Sequence, residues 1–221
     1  ADAYQRALAG ADEDPLVIAR LALTLDALGQ HDAATEWLAH GETLDSQSEA
    51  IWLARGEIAE RQDDPGNAIV AYERAETFAP HSPQATWALV RVLHAVPERS
   101  IAVLQRFVAR NERWNPHRLH AELRLALSHN NLEQSINALR TLRATTTPTQ
   151  LEIEAVARLA LDHGRPIAAH EILGTPSERM RDRLLWLRVL IAARDLQNAE
   201  LVLANSTPEE LGGLAAMAEF Y

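Results

Sequence analysis

Small residues recur along this sequence at intervals of about 34 residues, and this period constrains the fold more than any other feature. The small positions are Ala34, Ala68, Ala102, Ser135, Ala169 and Ala199, spaced by 34, 34, 33, 34 and 30 residues. A bulky residue four positions later recurs as Leu38, Tyr72, Leu139, Leu173 and Leu203. A second small residue three positions further on recurs as Gly41, Ala75 and Ala109. A period of this length is typical of proteins that stack one supersecondary unit many times.

Each unit is predicted to contain two amphipathic helices joined by a turn, because apolar residues at three- and four-residue spacing lie on both sides of a turn signal. The turn signals are Gly29-Gln30, Asp63-Asp64, Asn130-Asn131, Gly164-Arg165 and Arg194-Asp195. Helix starts, each a capping side chain followed by proline, are predicted at Asp14-Pro15, Ser82-Pro83 and Asn115-Pro116. Two closely packed helices need a small residue where their backbones approach. Each unit is therefore predicted to be a helical hairpin.

The best-preserved unit spans about residues 48–81 and carries a recognisable pattern. Its residues are Trp52, Gly56, Ala68, Tyr72, Ala75 and Pro80. Together with the period, this pattern resembles the tetratricopeptide repeat, although Arg55 and Ala59 stand where that family usually has a leucine and an aromatic residue. The resemblance implies an all-α, right-handed α-solenoid of about six helix-turn-helix hairpins. Trp52 and Trp186 are expected to fill the core between hairpins.

The expected organisation is one array of repeats flanked by partial units. Residues 1–14 are predicted to be the second helix of a truncated repeat, and residues 206–221 a terminal or capping helix. The hairpins of the array, residues 15–205, are predicted at about 15–47, 48–81, 82–115, 116–148, 149–176 and 177–205. Because the sequence opens in the middle of a unit, we expect a fragment of a larger bacterial protein.

The composition argues against several kinds of chemistry. The chain has no cysteine and no lysine, so disulfides, thiolate ligands and lysine catalysis are excluded. A net charge of −10 argues against nucleic-acid binding, and no apolar run approaches the ~18–20 residues of a membrane span. His117 and His120 share a helix face, but no third metal ligand follows them. We expect no catalytic residue, cofactor, metal, nucleic-acid partner or membrane insertion.

The candidate binding residues lie in the middle of the first helices. The same position in each of six successive units is occupied by Leu23, Glu57, Arg91, Arg124, Arg158 and Arg188. The resemblance assigns the first helices to a concave partner-binding groove, where we also place Trp87 and His120. Arginine forks suit the carboxylates of an acidic peptide or another protein. Alternatively, each arginine pairs with an acid of its own or the adjacent unit, such as Glu154 four residues before Arg158.

Two functions are compatible with these features. The first is a non-enzymatic scaffold that docks a partner protein in the groove. The family's use in bacteria implies envelope assembly or exopolysaccharide export as its setting, with the periplasm as the favoured compartment. The alternative is a structural spacer or self-association module that holds neighbouring domains and has no groove ligand. The sequence leaves the partner and the oligomeric state open.

Overall fold

The computed structural model describes residues 14–113, 115–176 and 182–206, and all regular structure in these ranges is helical. Consecutive helices pack as six hairpins, which confirms the prediction of an all-α solenoid of helix-turn-helix units. The predicted partial unit at the start and the terminal helix at the end lie outside the described residues, apart from residues 14 and 206. The repeat boundaries assigned from the sequence stay a prediction.

Residues 1–112 form one compact unit, whose described part contains three hairpins. The first helices of these hairpins are α1 (Pro15–Ala27), α3 (Glu49–Arg61) and α5 (Pro83–Val92). The second helices are α2 (His31–Leu44), α4 (Pro65–Phe78) and α6 (Pro97–Arg110). A 3-10 helix, Leu93–Ala95, extends α5.

Residues 113–221 form the second compact unit, and its described part also contains three hairpins. The first helices are α7 (Pro116–Ser128), α9 (Gln150–Asp162) and α11 (Arg183–Ala192). The second helices are α8 (Leu132–Thr145), α10 (Pro166–Leu173) and α12 (Leu196–Ala204). Within this unit α9 packs beside both α7 and α11, so the three first helices lie side by side.

Five of the six described hairpins turn through one residue with a left-handed backbone. These residues are Gly29, Asp63, Asn130, Gly164 and Arg194, with φ angles from 52° to 77°. The left-handed residue turns the chain so that the amide of the following residue donates to a carbonyl near the end of the first helix. In the first hairpin, for example, the Gln30 amide donates to the Leu25 carbonyl at 2.9 Å. The five predicted turns are therefore confirmed.

Side-chain caps are present at two of the three predicted helix starts. The Asp14 carboxylate accepts from the Leu16 amide at 2.8 Å, and the Asn115 side chain accepts from the His117 amide at 2.9 Å. Ser82 stands at the N-cap of α5 but makes no capping bond. Its hydroxyl donates instead to Glu49 on α3, so the capping prediction is wrong there, and the serine connects two hairpins.

The predicted packing of the second hairpin is confirmed. Ala68, Tyr72 and Ala75 of α4 are fully buried. Gly56 of α3 lies against the Tyr72 ring so closely that a Cβ atom there would stand 2.3 Å from a ring carbon. Glycine therefore permits the close approach of α3 and α4.

The third hairpin has a different register from the one predicted. Its second helix, α6, begins at Pro97, and Leu104 is buried seven residues later, as Tyr72 is seven residues after the start of α4 at Pro65. The next core position is filled by Phe107, which is also buried. The 3-10 helix replaces the left-handed turn in this hairpin and changes where the second helix begins.

Three residues assigned to this hairpin from the sequence consequently have other environments. Ala109 is exposed and Ala102 is half-buried, so the small packing positions predicted there are wrong. Arg106, which stands four residues after Ala102 where the repeat pattern has a bulky residue in other units, does not occupy the bulky position, which Leu104 fills. Its guanidinium pairs with the buried carboxylate of Glu76 on α4 at 2.7 Å.

Of the two tryptophans expected in the core, Trp186 is buried there and Trp52 is not. Trp52 is half-buried, and its indole N–H donates to the Ser46 carbonyl at 3.0 Å. The guanidinium groups of Arg55 and Arg74 lie 5.5 and 5.3 Å from its ring centroid. Cation–π contacts with two arginines thus replace the predicted core contacts.

Candidate functional site

The four arginines predicted as binding residues lie exposed on first helices. Arg91 is on α5 of the first unit, and Arg124, Arg158 and Arg188 are on α7, α9 and α11 of the second. Each of the three in the second unit stands six residues before the left-handed residue of its hairpin. The structure therefore places these three at equivalent positions of neighbouring helices.

Arg91 is part of a hydrogen-bonded network between two hairpins. Its Nε donates to the Glu60 carboxylate of α3 at 3.1 Å, and a second guanidinium nitrogen also donates to that carboxylate. The Tyr72 hydroxyl donates to the same carboxylate at 2.6 Å. Arg91 thus has an acidic partner in the preceding hairpin, as the alternative interpretation of the arginines predicts.

The protonation properties of this network follow from its geometry. Burial raises the pKa of Glu60, but hydrogen bonds from Arg91 and Tyr72 outweigh that effect, so its pKa lies below the ordinary value. Burial and the bond to Glu60 raise the pKa of Tyr72. The carboxylate stays charged and the phenol stays neutral at physiological pH. The network is therefore a charge-assisted link between hairpins.

Arg158 pairs with Asp182, which precedes α11. The other oxygen of Asp182 caps α11 by accepting from the Leu185 amide at 2.9 Å. Glu154, the acid suggested by the sequence, is buried and accepts from the Gln150 side chain at 3.0 Å and the Trp186 indole at 3.3 Å. The ion pair of Arg158 is therefore with the next hairpin.

A cleft of about 380 Å³ opens beside this ion pair on the first-helix side of the second unit. Its apolar lining consists of Leu127, Leu151, Ala155 and Leu159. Its polar lining consists of Glu154, Arg158, Asp162 and Asp182. Leu151 is 60% exposed, so its side chain is accessible from the cleft. The cleft offers an apolar surface and one guanidinium, together with the carboxyl groups of Glu154, Asp162 and Asp182.

The remaining two predicted site residues do not join this cleft. Trp87 is half-buried on α5 of the first unit. His120 is half-buried on α7, and its Nδ1 lies 2.5 Å from a carboxylate oxygen of Glu152, at the start of α9. Glu152 also forms a capping box with Thr149. His120 therefore takes part in helix–helix packing, while His117, its predicted neighbour on the helix face, is exposed.

Sequence reasoning missed Asp182, Leu127 and Leu151. Asp182 had a weak signal, since an aspartate before an apolar helical segment is a typical N-cap. Leu151 stands at four-residue spacing with Ala155 and Leu159, which is also the spacing of an ordinary apolar helix face. Neither signal connects the two residues to Arg158.

The described residues contain no group of three potential metal ligands. No helix among them is long and apolar enough to cross a membrane.

No family model matches the sequence, and no curated protein matches it. Among solved structures, PilF of Pseudomonas aeruginosa is 16% identical, with a TM-score of 0.66 over 93% of this chain and 98% of that one. PilW, a type IV pilus biogenesis factor, is 16% identical, with a TM-score of 0.64 over 92% of this chain and 100% of that one. YrrB, a tetratricopeptide-repeat protein with an unusual peptide-binding site, is 15% identical, with a TM-score of 0.54 over 91% and 98%. This similarity concerns the fold, and the chain accordingly has the tetratricopeptide-repeat fold that its sequence predicts.

Proposed function

We propose that the chain is a non-enzymatic scaffold that docks a segment of a partner protein on the first helices of its second unit. One observation carries the proposal, namely the open cleft in which an exposed leucine, Leu151, lies beside an exposed guanidinium, Arg158. An aliphatic side chain of the partner fits the apolar lining, and a carboxylate of the partner fits the guanidinium.

The ion pair with Asp182 is compatible with this role. The Arg158 side chain is 54% exposed and that of Asp182 is 33% exposed. Exposed pairs of this kind contribute only about 0–1 kcal/mol, because water and salt screen them. A partner carboxylate can therefore replace Asp182 at small cost. Arg124 and Arg188 are exposed at the equivalent positions of α7 and α11.

The setting we propose is a bacterial envelope assembly. The similarity in fold to PilW, a type IV pilus biogenesis factor, supports this setting. Exopolysaccharide export in the periplasm is one such setting and rests on the sequence resemblance alone. YrrB, whose structure contains a peptide-binding site, supports a peptide segment as the ligand.

Substitution of two arginines tests the docking proposal. We expect Arg124→Glu with Arg158→Glu to abolish capture of the partner from lysate of the source cell, because both changes reverse the charge that the partner carboxylate meets. Thermal melting of the variant must match the wild type. The matched control is Arg20→Glu with Arg99→Glu, two exposed arginines of the first unit.

Equal capture by the wild type and the double variant would contradict docking at this cleft. It would favour the alternative, in which the chain is a spacer or self-association module. Sedimentation velocity separates those two, since self-association makes the apparent mass rise with concentration.

A further inference from the structure

A second cleft, of about 370 Å³, lies between the second helices α8 and α10 of the second unit. Its floor is apolar, with Leu139 and Ile172 buried and Ile136 half-buried. Its rim holds three exposed arginines, Arg140, Arg143 and Arg165, and two exposed acids, Glu133 and Glu171. The cleft therefore combines an aliphatic floor with a positively charged rim.

The three arginines differ in whether their hydrogen-bond acceptor is a carboxylate or a neutral group. Arg165 pairs with Glu133 at 2.7 Å. Arg140 donates to the side-chain oxygen of Asn137 at 3.2 Å, and Arg143 donates to the backbone carbonyl of Ile172 at 2.5 Å. Both of these acceptors are neutral. Among residues 14–113, 115–176 and 182–206, neither Arg140 nor Arg143 has a carboxylate oxygen within 4.0 Å.

Arg143 bridges two helices through a neutral acceptor, whereas three other bridging arginines among the described residues meet acids. Arg91 meets Glu60, Arg158 meets Asp182, and Arg106 meets Glu76. In a chain whose net charge is −10, the three arginines of the rim outnumber its two glutamates, so the rim is locally positive. Arg140 and Arg143 stand one helical turn apart on α8, above the same apolar floor.

We propose that this cleft is a second docking surface, and that it binds a segment of another protein in which an acidic residue lies next to a leucine, isoleucine or valine. Two guanidinium forks present paired N–H donors that match the oxygens of a carboxylate. The floor of Leu139, Ile136 and Ile172 buries the aliphatic side chain, which supplies apolar contact area. Charge complementarity selects an acidic segment over a basic one.

The proposal is independent of the docking proposed for the first helices. It concerns α8 and α10, whereas the other cleft is formed by α7, α9 and the residue that precedes α11. In that cleft the arginine already has an ion-pair partner, while Arg140 and Arg143 of this one have no carboxylate oxygen within 4.0 Å among the described residues.

Selection of displayed peptides tests the proposal. Random 12-residue peptides displayed on phage are selected on the purified chain, and the enriched peptides are synthesised for affinity measurement. We expect enriched sequences in which an acidic residue adjoins an aliphatic one. Arg140→Gln with Arg143→Gln should weaken their binding at least tenfold, and added salt should weaken wild-type binding. Arg20→Gln with Arg99→Gln is the charge-matched control and should leave affinity unchanged.

Two further variants separate the possible outcomes. Arg140→Lys with Arg143→Lys keeps the charge without the forked donors and leaves the fold intact, so it should reduce affinity less than the glutamine changes do. Peptides that lose binding only in Arg124→Gln with Arg158→Gln belong to the first-helix cleft. If no peptide is enriched, or if the enriched peptides lack acids or bind the Arg140→Gln, Arg143→Gln variant as well as the wild type, the proposal is wrong.

Discussion

Arginine is the residue on which both the stability and the proposed binding of this chain depend, since no lysine is present. Arg91 and Arg158 stand at equivalent positions of the repeat but have different surroundings. Arg91 shares the Glu60 carboxylate with a buried tyrosine hydroxyl, and Arg158 meets a partly exposed aspartate beside a cleft. The two ion pairs are similarly exposed, and exposed pairs contribute about 0–1 kcal/mol. The Glu60 carboxylate also accepts from the buried Tyr72 hydroxyl, and a hydrogen bond to a charged group contributes about 1.5–3 kcal/mol. We therefore expect the Glu60 network to stabilise the fold and Arg158 to be free to exchange its partner.

The Glu60 network predicts a pH-dependent contribution to stability. Because the folded-state pKa of Glu60 lies below its ordinary value of 4.5, its contribution is complete above that value and is lost as the pH falls through the lowered pKa. We expect Glu60→Gln to lower the free energy of unfolding by about 1–2 kcal/mol at pH 7, discounted for partial exposure. Urea unfolding at pH 7 and at pH 3 measures the difference.

The difference between wild type and Glu60→Gln should shrink at the lower pH, because below the ordinary pKa the Glu60 carboxylate of the unfolded chain binds a proton, and this offsets the stability that the charged form gives the folded chain. Other carboxylates titrate in both proteins and cancel in this comparison. A difference that stays constant with pH would mean that the charge of Glu60 contributes nothing.

The carboxylate of Asp182 is predicted to weaken partner binding, because it competes with the partner for Arg158. Asp182→Asn keeps the N-cap of α11, since asparagine caps helices as well as aspartate, but it removes the carboxylate that competes for Arg158. We expect the partner to bind up to about fivefold more tightly, which corresponds to an exposed ion pair of about 1 kcal/mol. Asp14→Asn, at the N-cap of α1 in the first unit, is the matched control. Weaker binding by Asp182→Asn, measured by titration calorimetry, would show that the partner needs Asp182 itself.

At the scale of the helices, the distance between the two helices of a hairpin determines which side chains fit between them. Gly56 and Tyr72 are the clearest case, because the ring occupies the space of the missing Cβ atom. The fully buried ring has no exposed side to which it can move. Close packing of this kind makes a single added methyl group costly.

Gly56→Ala is therefore predicted to destabilise the first unit by about 1–2 kcal/mol, the overpacking cost exceeding the better helix propensity of alanine. Gly66→Ala is the control, since its Cβ would lie 3.5 Å from the nearest atom, the Asp64 carboxylate, which is ordinary contact. We expect the control to melt at the same temperature as the wild type or slightly higher. A Gly56→Ala protein as stable as the control would contradict the close approach of α3 and α4.

Most helix pairs could be predicted from the sequence because two independent signals agreed. Glycine, aspartate or asparagine, which suit a left-handed backbone, stands at four of the five turns, and a small residue follows every turn at a fixed distance. In the third hairpin the signals disagreed. Ala102 and Ala109 continue the period, but Pro97 starts the helix, and the start of a helix determines which of its residues face the core.

The candidate site could be predicted only in part. The exposed positions of Arg124, Arg158 and Arg188 followed from their constant distance to the turn. Their partners did not, because Asp182 is 24 residues from Arg158 and Glu60 is 31 residues before Arg91. The sequence separation of such a pair depends on how far each long side chain reaches into the next hairpin. The repeat period does not determine this separation.

At the scale of the whole molecule, arginine–carboxylate pairs connect successive hairpins within each unit. In the first unit Arg61 pairs with Asp26 and Arg106 with Glu76, and in the second Arg165 pairs with Glu133. A stacked array is stabilised by contacts between neighbours, so these pairs add to the apolar contacts that join one hairpin to the next. The central claim is that one first-helix cleft of such an array also binds a partner.

Site-specific photo-crosslinking in the source cell tests that claim most directly. A photoreactive amino acid replaces Leu151 in the cleft, and Leu28, which is 62% exposed in the first unit, serves as the control position. We predict one dominant adduct from position 151 that disappears with Arg158→Glu and is absent from position 28. No adduct at position 151, or an adduct that persists in the Arg158→Glu background, would contradict docking at this cleft.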